Sequence, residues 1–380
     1  MEIALKKILV ITGGFFPAQN YGGPPVSIDN MCTLLKNDFE FYILTSNHEF
    51  KKNKMMENIT KGWNKRDNSK VLYLDEKLMN QKSFSLIINK IEPDVIYLNS
   101  FFSYKTTIPL IKIGRANNIK TILAPRGELC KNAFKKKYKK IPYLFANRML
   151  FKNEFLYYQA TSDEENEAIV DILGVSKKHI YKVTNVPTQK KQTKRCTKKE
   201  SGKLNCVFLS RIHPKKNLLF ALQCLKGVKG EIEFDIFGPI EDKEYWDKCK
   251  QYIRKLGENI IVKYKGIVQN KDVQNVFSQY DVFLFPTLSE NFGHVIWEAL
   301  LSNCPVIISN QTPWLDLQEK KCGYIISDFN ISFYRDALKD LVEMSEIEYN
   351  KFSYNISRYC DNKFDYMKLK IEYENMFENI

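Results

Sequence analysis

The chain has 380 residues, 44% of them hydrophobic and 27% charged, with a formal net charge of +14. That length exceeds one typical core and suits two domains. No run approaches the roughly 20 apolar residues that span a bilayer. Nine scattered cysteines, with no CxxC pair and no zinc-ligand spacing, exclude a zinc module and fit the reduced thiols of a cytosol.

The opening "MEIALKKILVITGG" holds an apolar run of only Ile8 to Ile11 that ends in glycines. It reads as a first buried strand, not a signal peptide. Further strands are expected at "FEFYILTS", "KVLYL", "DVIYLNS", "KTILAPRG", "FLYYQATS" and "IYKVTNV", alternating with helical patterns. A Lys/Thr/Gln-rich segment at 187–203 follows, with weak hydrophobicity and no periodicity. It is expected as a basic linker between domains at 1–186 and 204–360. Strands resume at "LNCVFLSRI", "IEFDIFGP", "IIVKYKG", "DVFLFPT", "CPVIIS" and "GYIIS". Continuous apolar strands between helices argue for two doubly wound α/β domains with mostly parallel sheets. Ligands of such domains bind beyond the carboxyl ends of the strands, so a cleft between the two is the expected site. Residues 361–380 carry helical spacing and are free to pack back on the first domain.

Charge is concentrated. "KNAFKKKYKK" (131–140) has six lysines and no acid, and the stretch 186–203 has a net charge of +6. Together they supply +12 of the total, which leaves the remainder nearly balanced. A nucleic-acid reader spreads basic and aromatic residues over one folded face, so no nucleic-acid partner is expected. In "KNAFKKKYKKIPYLFANRMLFK", Phe134, Tyr138, Ile141, Phe145 and Met149 recur at helical spacing among lysines. This basic amphipathic pattern suits either an anionic membrane surface or a helix packed on the sheet with a solvated face.

The stretch "SENFGHVIWEALLSNCPVIIS" sets Glu290 and Glu298 eight positions apart, at and beyond a strand-to-helix turn. Ser289 or Asn291 would cap a helix of about three turns, with Glu298 roughly 12 Å further along at 1.5 Å per residue. The bland reading gives Glu290 to the helix dipole and Glu298 to a polar face. The functional reading puts a phosphate on the free amides of the helix start. One carboxylate then reaches sugar hydroxyls and the other a ribose, as a nucleotide-sugar would require. In "SRIHPKKN", Arg211 ends a strand and Lys216 begins the next helix. The helix dipole disfavours cations there, whereas a departing diphosphate needs them. Gly22 and Gly23 in "YGGPP" allow close backbone approach, although no G-x-G-x-x-G fingerprint is present. Arg126 in "APRGEL" stands at a strand end and faces the cleft, or pairs with Glu128.

These residues resemble the signature of the retaining family-four glycosyltransferases. "LFPTLSENFGHVIWEALLSNCPVIISNQTPW" carries the family's E-x7-E pattern at Glu290 and Glu298, and "FLSRIHPKKNL", "IFGP", "YKG", "FFPAQNYGGPPVSIDNM" and "APRGEL" follow the expected order. The resemblance implies a GT-B fold of two Rossmann-like domains facing a central cleft. It implies donor binding mainly by the second domain and acceptor binding mainly by the first.

On that resemblance Arg211, Lys216 and Glu290 are the catalytic group. Donor contacts are assigned to Gly22, Gly23, Arg211, Lys216, Glu290, Asn291, Phe292, Gly293, His294 and Glu298, and acceptor contacts to Asn99 and Arg126. Many relatives carry a histidine after the strand matching "PDVIYLNSFFS", where this chain has Tyr97, Asn99 and Ser100, none an acid or base near neutral pH. A same-face mechanism, in which the leaving phosphate accepts the acceptor's proton, needs no such base.

No DxD-type metal site is evident, so neither metal nor other cofactor is expected. The expected partners are a nucleotide-sugar donor and a glycan or lipid-linked acceptor, used in bacterial surface polysaccharide synthesis. The expected location is the cytoplasm, with peripheral contact at the inner membrane. Two alternatives stand beside this reading. One is a nucleotide-sugar epimerase or hydrolase on the same architecture. The other is a basic nucleic-acid- or membrane-binding protein without enzymatic activity.

Overall fold

The computed structural model describes residues 4–18, 21–49, 55–130, 137–189 and 195–380. The chain divides into two compact units, Met1–Val186 with Asp365–Ile380, and Pro187–Phe364.

The first unit holds β1 (Lys6–Thr12), β2 (Phe39–Ser46), β3 (Trp63–Arg66), β4 (Ser69–Leu74), β5 (Val95–Asn99), β6 (Lys120–Ala124), β7 (Leu156–Ala160) and β8 (Ile180–Lys182). They form one sheet in the order β3-β4-β2-β1-β5-β6-β7-β8. All neighbours are parallel except β3 and β4. Alternate residues of β1 serve opposite faces, as the two-residue period of a strand dictates. Ile8 and Val10 join one buried cluster, and Leu9 and Ile11 the other. The first cluster is completed by Leu369, Tyr373, Met376 and Phe377 of the C-terminal helix Tyr366–Glu378.

The second unit holds β9 (Lys203–Leu209), β10 (Glu231–Phe237), β11 (Ile260–Gly266), β12 (Val282–Phe285), β13 (Val306–Ser309) and β14 (Gly323–Ile326). The order is β11-β10-β9-β12-β13-β14, parallel throughout. In both sheets the first strand has successors on either side, so the winding direction reverses there. The reversal lies between β1 and β5 in one unit and between β9 and β12 in the other. Such switch points open a crevice at the carboxyl ends of the strands.

Two expectations need correction. Sequence reading missed β3, whose "WNKR" pattern has no apolar alternation and which pairs only as an antiparallel edge. The expected linker at 187–203 lies within the second unit, and its described residues are anchored there. Arg195 pairs with the buried Asp281 at 2.6 Å and lies 3.7 Å from the centre of the Tyr349 ring. Lys199, buried, donates to the carbonyls of Glu200 at 2.7 Å and Lys203 at 2.6 Å. Residues 190–194 of that segment lie outside the described set.

Candidate active site

The loops leaving β9 and β12 meet at the switch point of the second unit. After β9 the chain passes Arg211 and makes a short 3-10 turn, Pro214–Lys216. Asn217 takes a left-handed conformation before the helix Leu218–Leu225. Lys216 therefore ends a turn and does not begin the helix, contrary to expectation. Its Nζ donates to Glu290 Oε1 from the loop after β12. Both side chains are largely enclosed, at 12% and 13% exposure. Thr287 Oγ1 donates to the same carboxylate oxygen at 3.2 Å. The backbone closes the arrangement, with the Leu288 amide donating to the Lys215 carbonyl at 2.9 Å and the Glu290 amide to the Gln311 carbonyl at 3.0 Å.

Arg211 reaches sideways. Its Nη1 donates to Glu241 Oε2 at 2.8 Å, from the loop after β10. That loop lies close because Ile212 and Ile240 form an isolated bridge and Gly238 turns with φ 127°. A Cβ on Gly238 would stand 1.9 Å from the Ser210 carbonyl oxygen, so only glycine fits. Glu241 was not singled out from sequence. The available signal was an acid just past a strand end in "IFGPIED".

The helix predicted from "FGHVIWEALLSN" is shorter than expected, His294–Leu301, and Gly293 (φ 78°) is its N-cap without a side-chain cap bond. Neither Ser289 nor Asn291 occupies the cap position. Two turns are too few to be held by propensity, so packing must hold them. Ile296, Trp297 and Leu300 are buried, each worth about 1.5–3 kcal/mol by apolar transfer. Trp297 stacks on Trp314 with ring centres 5.7 Å apart and donates to the Thr188 carbonyl at 2.7 Å. Trp314 Nε1 donates to the Phe292 carbonyl, fixing the backbone at the helix entrance. His294 is buried with its ring 4.6 Å from that of Phe292. Asn291 is exposed. Glu298 is only 5% exposed and lies 3.5 Å from Thr188 Oγ1, so the polar-face reading fails for it.

In the first unit Gly22 and Gly23 start the helix Gly23–Leu34 after β1. No acidic residue occupies the first turn of that helix. Asn99 ends β5, and Arg126 follows β6 with φ 55°. Arg126 does not pair with Glu128. Its Nε and Nη2 donate to Asn99 Oδ1 at 3.0 and 2.6 Å, and Nη2 also to Tyr97 Oη at 2.9 Å. Its Nη1 donates to Asn185 Oδ1. Glu128 instead accepts from the Ser100 hydroxyl at 2.9 Å and from the Phe101 and Phe102 amides at 2.6 and 3.0 Å. Burial pushes the Tyr97 phenol far up, so it stays a neutral donor and acceptor. Sequence reading did not select Tyr97 or Asn185 as partners of Arg126.

The segment 131–149 is described from residue 137 onward. Within the helix Lys137–Ala146, Tyr143 and Leu144 pack toward the core. Tyr138, Ile141, Phe145 and, just beyond, Met149 are 71%, 53%, 80% and 81% exposed. Spacings of three and four residues put Tyr138, Ile141 and Phe145 along one outer stripe of the helix, and Met149 follows in the turn beyond it. Among the described residues no helix is long and apolar enough to cross a membrane. All nine cysteines are described, none is in a disulfide, and all but Cys196 are buried.

Two doubly wound units with cations and carboxylates gathered at a strand-end crevice define the GT-B class of fold. The same architecture is found in Anabaena HepE, solved in complex with UDP and glucose (TM-score 0.74, 15% identity, 99% of this chain and 100% of that one). Residues 189–358, most of the second unit, match the family described as glycosyl transferases group 1. The chain is 31% identical over 183 residues to an uncharacterized 41.2 kDa protein in the cps region of Klebsiella pneumoniae, covering 46% of this chain and 48% of that one. It is 23% identical over 174 residues to the capsular polysaccharide biosynthesis glycosyltransferase CapM of Staphylococcus aureus, covering 45% and 44%. The matches thus span about half the length of these curated relatives.

Proposed function

We propose that the chain transfers a sugar from a nucleotide-diphosphate sugar to a hydroxyl of a glycan or lipid-linked glycan, with retention at the anomeric carbon. The pairing of Lys216 with Glu290 at the β9/β12 switch point, with Arg211 on the same loop as Lys216, carries this reading. In it the bond from the anomeric carbon to the diphosphate oxygen breaks and a bond to the acceptor oxygen forms on the same face. The acceptor's proton passes to the departing phosphate. Arg211 and Lys216 meet the charge that develops on that phosphate, and Glu290 holds sugar hydroxyls. Amides at Phe292 to His294 add the helix entrance, and Glu298 takes the ribose. Gly22 and Gly23 approach the donor from the first unit, where Asn99 and Arg126 take the acceptor. The likeness to a protein of the Klebsiella pneumoniae cps region and to the capsular glycosyltransferase CapM supports a setting in bacterial capsule or other surface polysaccharide synthesis.

Two further parts belong to the reading. The counter-charge for the diphosphate is assigned to protein cations, so turnover needs no added metal. The exposed stripe Tyr138–Ile141–Phe145–Met149, in a lysine-rich segment, lies against an anionic membrane surface on the cytoplasmic side.

A single experiment tests the reaction. Unfolding midpoints are measured with UDP-, GDP-, ADP- and TDP-sugars in EDTA, followed by turnover with glycan acceptors. One nucleotide class is expected to raise the midpoint by mass action, and turnover should persist in EDTA. Donor consumption at a rate independent of any glycan would replace transfer by hydrolysis or epimerisation. Complete loss of activity in EDTA, restored by manganese, would overturn the metal-free part.

A further inference from the structure

Arg126 is a charged group held entirely by neutral ones. It bonds to Asn99, Tyr97 and Asn185, and the Tyr373 hydroxyl is a further hydrogen-bond partner. Arg126 is itself partly buried, and Tyr97, Asn99 and Asn185 are buried beneath it. Among the described residues no carboxylate lies within ion-pair distance of it. Two acids of the neighbouring loops are committed elsewhere. Glu128 accepts from Ser100, Phe101 and Phe102. Glu165, fully buried, accepts from the Gly127 amide and from the Thr161 amide and hydroxyl at 2.8 and 2.6 Å.

A guanidinium cannot discharge itself by losing a proton, so drawing it partly out of water without a counter-ion is unfavourable. A structural arginine would be expected to recruit one of those acids. Here the surroundings fix its direction without cancelling its charge. Asn185 Oδ1 also accepts from Ser27 Oγ at 3.1 Å. Tyr97 donates to Gln159, whose amide nitrogen donates to the Val183 carbonyl at 2.8 Å and to Tyr373 Oη at 3.1 Å. The Tyr373 hydroxyl in turn donates to the Thr184 carbonyl at 3.0 Å. The fork is therefore braced from three elements, including the C-terminal helix, and sits at the carboxyl ends of β5 and β6 beside the switch point of the first unit.

We propose that Arg126 binds an anionic group, a phosphate or a carboxylate, on the acceptor. Naming the ligand the acceptor rests on the transferase reading above; the anion site itself does not. The planar fork and its uncancelled positive charge suit either oxyanion.

The test measures binding of inorganic phosphate and of glucuronate by calorimetry to the wild-type chain, Arg126→Gln and Asn99→Asp. At least one anion should bind, and the arm that binds tells phosphate from carboxylate. Arg126→Gln should weaken that binding by about tenfold or more, the loss of a charge-assisted hydrogen bond. Asn99→Asp should abolish it while preserving the unfolding midpoint, because the new carboxylate supplies the missing counter-ion internally. It thereby keeps the test valid if Arg126→Gln does not fold. Unchanged affinity in both variants, or no binding of either anion to the wild type, would overturn the site. If anion binding behaves as expected but no nucleotide-sugar stabilises the chain, the transferase reading fails and the anion site stands.

Discussion

Lys216 and Glu290 neutralise each other, although they stand 74 residues apart. The pairing holds each side chain at the crevice, and a phosphate bound there as proposed would share the ammonium with a carboxylate. Lys216→Ala removes the cation and leaves Glu290 enclosed with Thr287 as its side-chain partner among the described residues. We expect that variant to lose most of the midpoint rise given by the nucleotide-sugar. We also expect kcat/KM to fall by about 10²–10³-fold, the usual cost of one stabilising donor. An undiminished midpoint rise would remove Lys216 from the donor site. At this scale sequence reading singles out candidate residues but not their partners. Arg211, Lys216, Glu290 and Arg126 are legible because each follows an apolar strand run. The acceptors of their hydrogen bonds come from loops 27 to 74 residues away, and strand periodicity carries no information about which loop ends touch.

The strands are the most legible elements. Buried parallel strands must be apolar on both faces, and thirteen such runs in the sequence correspond to strands of the two sheets. The helix after β12 is less legible at its start, because the cap is a left-handed Gly293 where a side-chain cap was expected. The segment before β9 misleads more fully. Its composition is that of a solvated connector, yet Arg195 is anchored by Asp281, which also accepts from the Asn205 amide at 2.8 Å. Burial pushes the Asp281 carboxyl up, against the opposing pull of that amide and of Arg195. The pair is only 12% and 2% exposed, so breaking one side strands a buried charge. Arg195→Met should therefore lower stability by about 3–5 kcal/mol. Adding Asp281→Asn should recover part of the loss. A urea midpoint for Arg195→Met equal to that of the wild type would show that the segment is held by other contacts.

For the molecule as a whole, net charge says less than its placement. The lysine-rich stretch at 131–140 adjoins the one exposed aromatic and aliphatic stripe that sequence periodicity had picked out. The protein should sediment with vesicles of mixed phosphatidylcholine and phosphatidylglycerol, less so in high salt, and weakly with phosphatidylcholine alone. Phe145→Glu with Met149→Glu should cut that binding by about tenfold or more, since each side chain carries about 1.5–3 kcal/mol of apolar transfer. Equal binding to neutral and anionic vesicles, or no effect of the double substitution, would refute the membrane contact.

The covalent path of the chain has one more consequence, which concerns synthesis. The first sheet is translated first, but one of its two buried clusters needs Leu369, Tyr373, Met376 and Phe377 from the last helix. The second unit needs nothing beyond Phe364. On the ribosome the later-made unit can thus complete its core before the earlier one. The sheet that leaves the exit tunnel first has to wait, with one face partly uncovered, until the helix Tyr366–Glu378 has been made.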